Sequence, residues 1–178
     1  LGGAVAQQVL FDRPAGVRKA VLAGTAPKGA FGGEQLPAVL ADAFQRAAQE
    51  RSHPKAFLFF TDTPAGRLAA NEFIGRINKH TVDPDPPATE ATTRAQLNAV
   101  TKWSAAPRDP AALAAITQPV LVVNGGHDAM VPTAGSHELY QHIPRAQLIL
   151  YPDSGHGALF QYHDAFVNEV DLFLRSKP

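Results

Sequence analysis

The sequence contains no cysteine, and its charges balance, with 16 Lys and Arg residues against 16 Asp and Glu residues. The absence of cysteine excludes disulfide bonds, thiolate metal sites and a cysteine nucleophile from these 178 residues. Because there is no basic excess, the composition does not favour a nucleic acid or an anionic membrane surface as a partner.

Long apolar runs and metal-binding patterns are also missing. No stretch approaches the ~20 apolar residues of a membrane span, and no basic start followed by an apolar core marks a signal peptide. We therefore expect a cytoplasmic protein with no membrane partner. The seven histidines form no cluster with ligand spacing, and the glycine-rich stretch 24–33 lacks the Gly-Lys-[Ser/Thr] of a phosphate-binding loop. Neither a metal nor a cofactor is predicted.

What the sequence does contain is an alternation of strand-like and helical segments. Hydrophobic residues make up 45% of the chain, enough for a buried core in one domain of ordinary size. Such an alternation predicts an α/β fold, with parallel strands flanked by helices on both faces. Leu1, Val5 and Val9 share one helical face of the first segment. Strands are predicted at 17–23, 119–123 and 146–151, and helices at 1–11, 109–116, 133–143 and near the C-terminus.

The middle of the chain, from about residue 34 to residue 103, is predicted to be helical. Helices are indicated at 36–50 and 89–103, and Asp62-Thr-Pro64 has the polar cap and first-turn proline of a helix start. The stretch 83–87 is a rigid, proline-rich bend. For Phe57-Leu-Phe-Phe60 a short strand and a helix both remain open, because the run is too short for its periodicity to decide.

Asp128 and His156 are the strongest candidates for chemistry. Each follows a predicted strand, in the frames Asn124-Gly-Gly-His-Asp128 and Pro152-Asp-Ser-Gly-His156. Ligands gather at the carboxyl ends of parallel strands, and the separation of the two residues is close to the ~30 residues of one strand-helix-strand unit. Their side chains are therefore expected within hydrogen-bond reach. A carboxylate that orients an imidazole base makes up two thirds of a nucleophilic triad.

These frames resemble the acid and histidine loops of the α/β-hydrolase fold family. In that family the nucleophile precedes the acid and the histidine, on a Gly-x-Ser-x-Gly elbow, and no such motif lies upstream of Asp128. The start, Leu1-Gly-Gly-Ala4, resembles the residues that follow the serine in Gly-x-Ser-Leu-Gly-Gly. The resemblance implies a serine directly before Leu1, an oxyanion hole that uses the Leu1 backbone N–H, and a partial hydrolase core at 1–33 and 108–178 around a helical cap at 34–107.

Substrate-binding residues are predicted with less support from the sequence. Val131 is expected in the pocket by analogy with the family, because it lies three residues past the acid. Phe57 and Trp103 are candidate pocket walls, since pockets are mainly apolar. Ser136 and Ser154 lack an elbow and are not expected to be nucleophiles. Phe31, Phe59 and Phe60 are further candidate walls.

The resulting hypothesis is a hydrolase of carboxylic esters or similar small acyl substrates, active only together with an N-terminal half that carries the serine, as another segment or chain. Without that half, an exposed strand edge is expected. Other chemistry on the same triad stays open, including perhydrolysis, lactone or C–C bond hydrolysis and cyanohydrin cleavage. So does a non-catalytic binding module that has lost the nucleophile, since a fold alone does not decide function.

Overall fold

The computed structural model describes residues 1–30, 35–79 and 86–177 and is built on a three-stranded parallel sheet. The strands are β1 (Ala20–Ala23), β2 (Val120–Gly125) and β3 (Ala146–Tyr151), in the order β1-β2-β3. β2 is buried along its whole length because it has a strand on each side. The predicted α/β class and parallel sheet are confirmed, although β1 begins later than predicted and β2 runs on through Asn124 to Gly125.

Helices surround this sheet and fill the segment between β1 and β2. Local signals start several of them: the side chains of Thr63, Thr89 and Asp109 each accept a hydrogen bond from a backbone N–H in the first turn. The helices are α1 (Gly2–Asp12), α2 (Leu36–Gln49), α3 (Pro54–Phe59), α4 (Pro64–Asn78), α5 (Glu90–Ala105), α6 (Pro110–Ala114), α7 (Thr133–His142), α8 (Ala158–Gln161) and α9 (His163–Arg175), with a 3-10 turn at Pro14–Gly16.

Two apolar layers cover the two faces of the sheet. On one face, Leu22, Val120 and Val122 pack with residues of α1, α6 and α7. On the other face, Leu121 and Val123 pack against Phe173 of α9. Alternate residues of β2 thus enter opposite layers, as the two-residue period of a strand requires. Both faces of the sheet are therefore packed, and the loops at its carboxyl edge begin at the ends of packed strands.

The segment between β1 and β2 contributes a small aromatic cluster of its own. Of the two structures left open for residues 57–60, a helix is the one observed. α3 starts at Pro54 with the His53 side chain as its cap and ends at Phe59. Phe60 and Phe73 are buried in this cluster, and the rings of Phe73 and Phe160 lie 4.7 Å apart. The cluster therefore ties α3 and α4 to α8. The assignment of 34–107 as a cap stays a prediction, and Phe31 and much of the predicted bend at 83–87 lie outside the described residues.

The first helix faces the core differently from the apolar repeat in its sequence. Leu1, Val5 and Val9 are 54%, 56% and 42% exposed, whereas Gln7 and Leu10 are buried. Gly3 lies so close to Thr25 that a Cβ atom there would come within 2.4 Å of that side chain. The helix turns its glycine and glutamine inward because only this orientation allows the close approach. Among the described residues, no helix combines the length and the apolar character needed to cross a membrane.

Candidate active site

Asp128 and His156 meet at the carboxyl edge of the sheet. The Asp128 Oδ2 atom lies 2.8 Å from Nδ1 of His156. A carboxylate accepts, so the imidazole donates through Nδ1–H, and in the neutral form of the ring this leaves Nε2 as the acceptor. The Asp128 side chain has no exposed surface, whereas that of His156 is 24% exposed. The pair thus has a buried orienting end and an accessible basic end.

The second oxygen of Asp128 is used within its own loop. Oδ1 accepts hydrogen bonds from the backbone N–H groups of Met130 and Val131, each at 2.9 Å. These two bonds fix the plane of the carboxylate, so that Oδ2 points at the imidazole. The carboxylate therefore both closes the loop and orients the base.

The backbones of the acid and histidine loops touch directly. His127 N–H donates to the Ser154 carbonyl at 2.9 Å, and Gly126 N–H donates to the Tyr151 carbonyl at 2.8 Å. A Cβ atom on Gly125 would lie 2.2 Å from the Gly155 carbonyl oxygen, so a side chain at this position would separate the loops. The glycines of the two sequence frames thus permit the approach that brings Asp128 and His156 together.

Asn124 is a supporting residue that sequence reasoning treated only as part of a loop. It is 2% exposed at the end of β2, and its Nδ2 atom donates to the Val131 carbonyl at 3.2 Å and to Ser136 Oγ at 3.0 Å. Its Oδ1 atom accepts from Gly125 N–H at 2.8 Å. In the sequence, the feature that could have identified Asn124 is its position as a polar residue at the end of an apolar strand. Asn124 holds the two ends of the acid loop together.

The loop after β1 forms the wall beside the imidazole. Gly24 has φ +57°, a left-handed conformation that favours glycine. A Cβ atom there would lie 3.0 Å from Cε1 of His156. The absence of a side chain at Gly24 therefore leaves room for the His156 ring.

The first turn of α1 and the imidazole line one cavity of about 150 Å³. Leu1, Trp103, Val131 and His156 all contribute to its wall, so the structure brings together four of the predicted site residues. Gln7 secures this turn: its Nε2 atom donates to the Ala26 carbonyl at 3.0 Å, and it also lies near Thr25 Oγ1 and the Gly3 carbonyl. The positive end of the α1 dipole consequently lies beside the base.

Phe57, which is predicted to bind substrate, does not line the cavity that contains His156. Phe57 lines a different, polar depression, where the Arg46 guanidinium lies 4.4 Å above its ring. The neighbour on the other side of α3, Phe59, approaches the site instead, with its ring centroid 5.6 Å from that of His156. The reason is that α3 is a helix, in which residues two apart point in different directions.

Ser136 and Ser154 are both fully buried, which agrees with the expectation that neither is the nucleophile. The hydroxyl of Ser154 donates to the Tyr151 carbonyl at 2.9 Å. Ser136 accepts from Asn124 and donates to the Thr25 carbonyl at 3.3 Å. Both hydroxyls support loops around the site.

This arrangement can accept a proton and bind a developing negative charge. The oriented imidazole has a free Nε2 atom, and the unpaired N–H groups of a helix N-terminus favour an anion. A parallel sheet with an Asp–His pair at its carboxyl edge, an acid loop after one strand and a histidine loop after the next, defines the α/β-hydrolase fold.

Comparison with known proteins agrees with this class. The α/β-hydrolase family described as TAP-like protein matches residues 86–177, slightly more than half of the chain. The chain therefore belongs to this α/β-hydrolase family, and the resemblance drawn from the two loops is confirmed.

Solved structures and one curated relative extend the comparison. An α/β-hydrolase fold protein from Chitinophaga pinensis is 34% identical with a TM-score of 0.89, over 98% of this chain and 62% of that one. A 2-hydroxy-6-oxo-6-phenylhexa-2,4-dienoate hydrolase from Rhodococcus is 24% identical with a TM-score of 0.63, over 99% and 62%, and shows the fold alone. The pimeloyl-(acyl-carrier protein) methyl ester esterase of Nitrosomonas europaea is 36% identical over 56 residues, 32% of this chain and 22% of that protein. The chain thus spans less than two thirds of the length of these relatives.

Proposed function

We propose that these residues belong to a serine hydrolase that cleaves a carboxylic ester or a similar small acyl substrate. The observation that carries the proposal is the 2.8 Å contact between Asp128 and His156, made where the imidazole shares a cavity with the first turn of α1. An oriented imidazole beside a helix N-terminus is the arrangement that activates a hydroxyl nucleophile and stabilises an oxyanion.

In the proposed mechanism the nucleophile is a serine that directly precedes Leu1 in the complete protein. His156 Nε2 takes the proton of the serine hydroxyl and later returns it to the leaving alcohol, and Asp128 stabilises the imidazolium in between. The Leu1 backbone N–H, at the start of α1, donates to the oxyanion. Water then releases the acyl group by the same steps. The position of Leu1 and Ala4 in the wall of the His156 cavity supports this placement.

The cavity favours an uncharged acyl group of modest size. Apart from His156, its described wall contains no ionisable side chain, and Trp103, Val131 and Met130 supply apolar surface. A charged part of the acyl group would lose its hydration there and would find no side chain of opposite charge other than His156. The curated relative, by its name, acts on a methyl ester, and ester cleavage is the chemistry that we propose for this chain.

The segment that carries the serine is also proposed to complete the sheet. β1 lies at an edge of the described sheet, and α1, which contacts β1, exposes the apolar side chains of Leu1, Val5 and Val9. Unpaired strand edges and contiguous apolar faces are normally covered in folded proteins. We propose that a preceding segment of the same hydrolase covers both, as part of the chain or as a second chain.

The function can be tested in the complete protein with a panel of short-chain aryl esters. His156→Ala removes the base, and we expect hydrolysis to fall by roughly 10³-fold or more, because the triad acts as a unit. His137→Ala is the matched control, since His137 is an exposed histidine on α7. Equal activity of the two variants would overturn the proposal, and a complete protein without esterase activity would favour the binding module.

A further inference from the structure

Asp153, three residues before His156, links the histidine loop to the start of α4. Its Oδ1 atom accepts from the Thr61 hydroxyl and its Oδ2 atom from the Thr63 hydroxyl, each at 2.8 Å. The partners lie about ninety residues earlier in the chain, on the turn between α3 and α4. Both oxygens of one carboxylate are thus committed to a single, distant turn.

The backbone of Asp153 is constrained as well. Its φ is +45°, in the left-handed region that residues other than glycine rarely adopt. Its carbonyl accepts from Gln161 Nε2 at 2.8 Å. Aspartate adopts this conformation more readily than most residues, and here the side-chain and carbonyl hydrogen bonds of Asp153 hold it in place.

The turn that holds Asp153 is itself rigid. Thr63 Oγ1 accepts from Gly66 N–H at 3.0 Å as the cap of α4, so this hydroxyl proton is free to go to Asp153. A Cβ atom on Gly66 would lie 2.2 Å from Thr61 Oγ1, so the two hydroxyl residues sit tightly against the helix start. The hydroxyl hydrogen bonds lower the pKa of Asp153 below its ordinary value, so the carboxylate is ionised at neutral pH and accepts from both threonines.

The same helices also hold the loop on the far side of His156. Gly157 N–H donates to the Phe59 carbonyl at 2.8 Å, and the Phe59 ring lies against the imidazole. The histidine is therefore flanked by one attachment three residues before it and another one residue after it. Both lead to the segment 54–66, outside the sheet.

We propose that Asp153 is a positioning residue that anchors the His156 loop to the α3–α4 turn and so holds the imidazole in register with the nucleophile. This inference rests on the proposed function, since it concerns the base of that reaction. Asp128 sets the orientation of the ring from the sheet side, and Asp153 sets the position of its backbone from the helical side. Neither the carboxylate of Asp153 nor the threonines contact the reacting atoms.

The kinetic test uses the complete protein and an ester substrate. In Asp153→Ala we expect kcat to fall about tenfold to a hundredfold with KM little changed, because small misplacements of a catalytic group cost rate. Asp153→Asn should lose less, since asparagine tolerates a positive φ and can still accept from a threonine. Asp164→Ala, which removes an exposed carboxylate of α9, is the control.

A double-mutant cycle separates anchoring from a general loss of stability. Thr61→Val keeps the shape of the side chain and removes the donor, so we expect it to lower kcat on its own and to add little in the Asp153→Ala background. The kcat values are taken per active site, counted by titration. Additive effects of the two substitutions, or an Asp153→Ala variant that loses only thermal stability, would overturn the proposal.

A measurement independent of turnover distinguishes this inference from the proposed function. The measurement is histidine-selective 15N NMR, in which the His156 signals are assigned by their absence from His156→Ala. We expect wild type and Asp164→Ala to show a single Nδ1–H tautomer of His156. In Asp153→Ala we expect a mixture of tautomers. Identical His156 spectra in wild type and Asp153→Ala would overturn the anchor. If the His156 tautomer differs between wild type and Asp153→Ala as expected, but the wild-type protein hydrolyses no ester, the proposed function fails and the anchoring role of Asp153 stands.

Discussion

At the scale of single residues, the site depends on how Asp128 divides its two oxygens. One oxygen accepts the backbone N–H groups of Met130 and Val131, and the other faces the imidazole. A carboxylate is needed only for the second task, because an amide oxygen can still accept from backbone N–H groups. Substitutions of Asp128 can therefore separate its contribution to the stability of the loop from its contribution to catalysis.

Asp128→Asn is expected to leave the fold nearly intact and to abolish most activity. The amide oxygen can replace Oδ1, but the amide nitrogen would face Nδ1 and favour the wrong imidazole tautomer. In serine hydrolases this fault lowers kcat by ~10⁴-fold. Asp128→Ala should in addition cost about 1–3 kcal/mol of stability, since two N–H groups lose their partner. Ester kinetics measure the loss of activity, and thermal unfolding measures the loss of stability. Equal stability of Asp128→Asn and Asp128→Ala would contradict the separate roles of the two carboxylate oxygens.

Gly24→Ala should reduce both stability and turnover. The new Cβ atom would require a left-handed alanine and would lie 3.0 Å from the His156 ring. We expect a loss of about 1 kcal/mol from the backbone conformation and a displaced imidazole. Gly16→Ala is the control, because a Cβ atom at Gly16 would point into open space. Unchanged kcat in Gly24→Ala, measured with an aryl ester, would show that the ring is not confined by this loop.

The sequence predicts Asp128 and His156 because their frames are local. Each frame places a catalytic candidate a few positions after an apolar strand and just beyond one or two glycines. Gly24 and Asp153 could not be found in this way, because the reason for each lies in contacts with residues far away in the chain. Phe57 was predicted in the site because an apolar run shows composition but not the direction of each side chain.

At the scale of elements, α1 shows why an apolar repeat can mislead. Its most buried positions are Gln7 and Leu10, with Gly3 against Thr25, while Ala6 and Phe11 are partly buried against the core. The apolar repeat of Leu1, Val5 and Val9 faces outward instead. Helix starts were easier to predict, since the caps at Thr63, Thr89 and Asp109 depend on neighbouring residues.

Gln7→Leu is expected to destabilise the protein although leucine is more hydrophobic. Gln7 has no exposed surface, and its Nε2 atom donates to the Ala26 carbonyl. Leucine would leave buried acceptors of the β1 loop unpaired, at a cost of about 1–3 kcal/mol in the free energy of unfolding. Gln141→Leu, at an exposed position of α7, should change it by less than about 0.5 kcal/mol. Chemical denaturation of the complete protein measures both, and a neutral Gln7→Leu would contradict the role of this amide.

At the scale of the whole molecule, the described sheet matches part of a longer fold. The structure from Chitinophaga pinensis superimposes on 98% of this chain but is covered only to 62%. Fold class and strand order follow from the alternation of strands and helices, since that pattern spans the chain. The proposed cover of β1 and of the outer face of α1 cannot be predicted in detail from these residues, because an interface depends on both of its surfaces.

Val5→Glu tests whether the outer face of α1 is covered in the complete protein. Burial of a charged side chain in an apolar contact should cost about 2 kcal/mol or more and lower the melting temperature. Val167→Glu on α9, at a similar exposure of 61%, should change stability by less than about 0.5 kcal/mol. Equal effects in thermal unfolding would indicate that this face of α1 stays in water.

Fluorophosphonate labelling of the complete protein, with mass-spectrometric location of the adduct, tests whether Asp128 and His156 activate a serine directly before Leu1. We expect one labelled serine, immediately before Leu1, and loss of the label in His156→Ala but not in His137→Ala. A label at any other residue, no label at all, or full labelling of His156→Ala would contradict it.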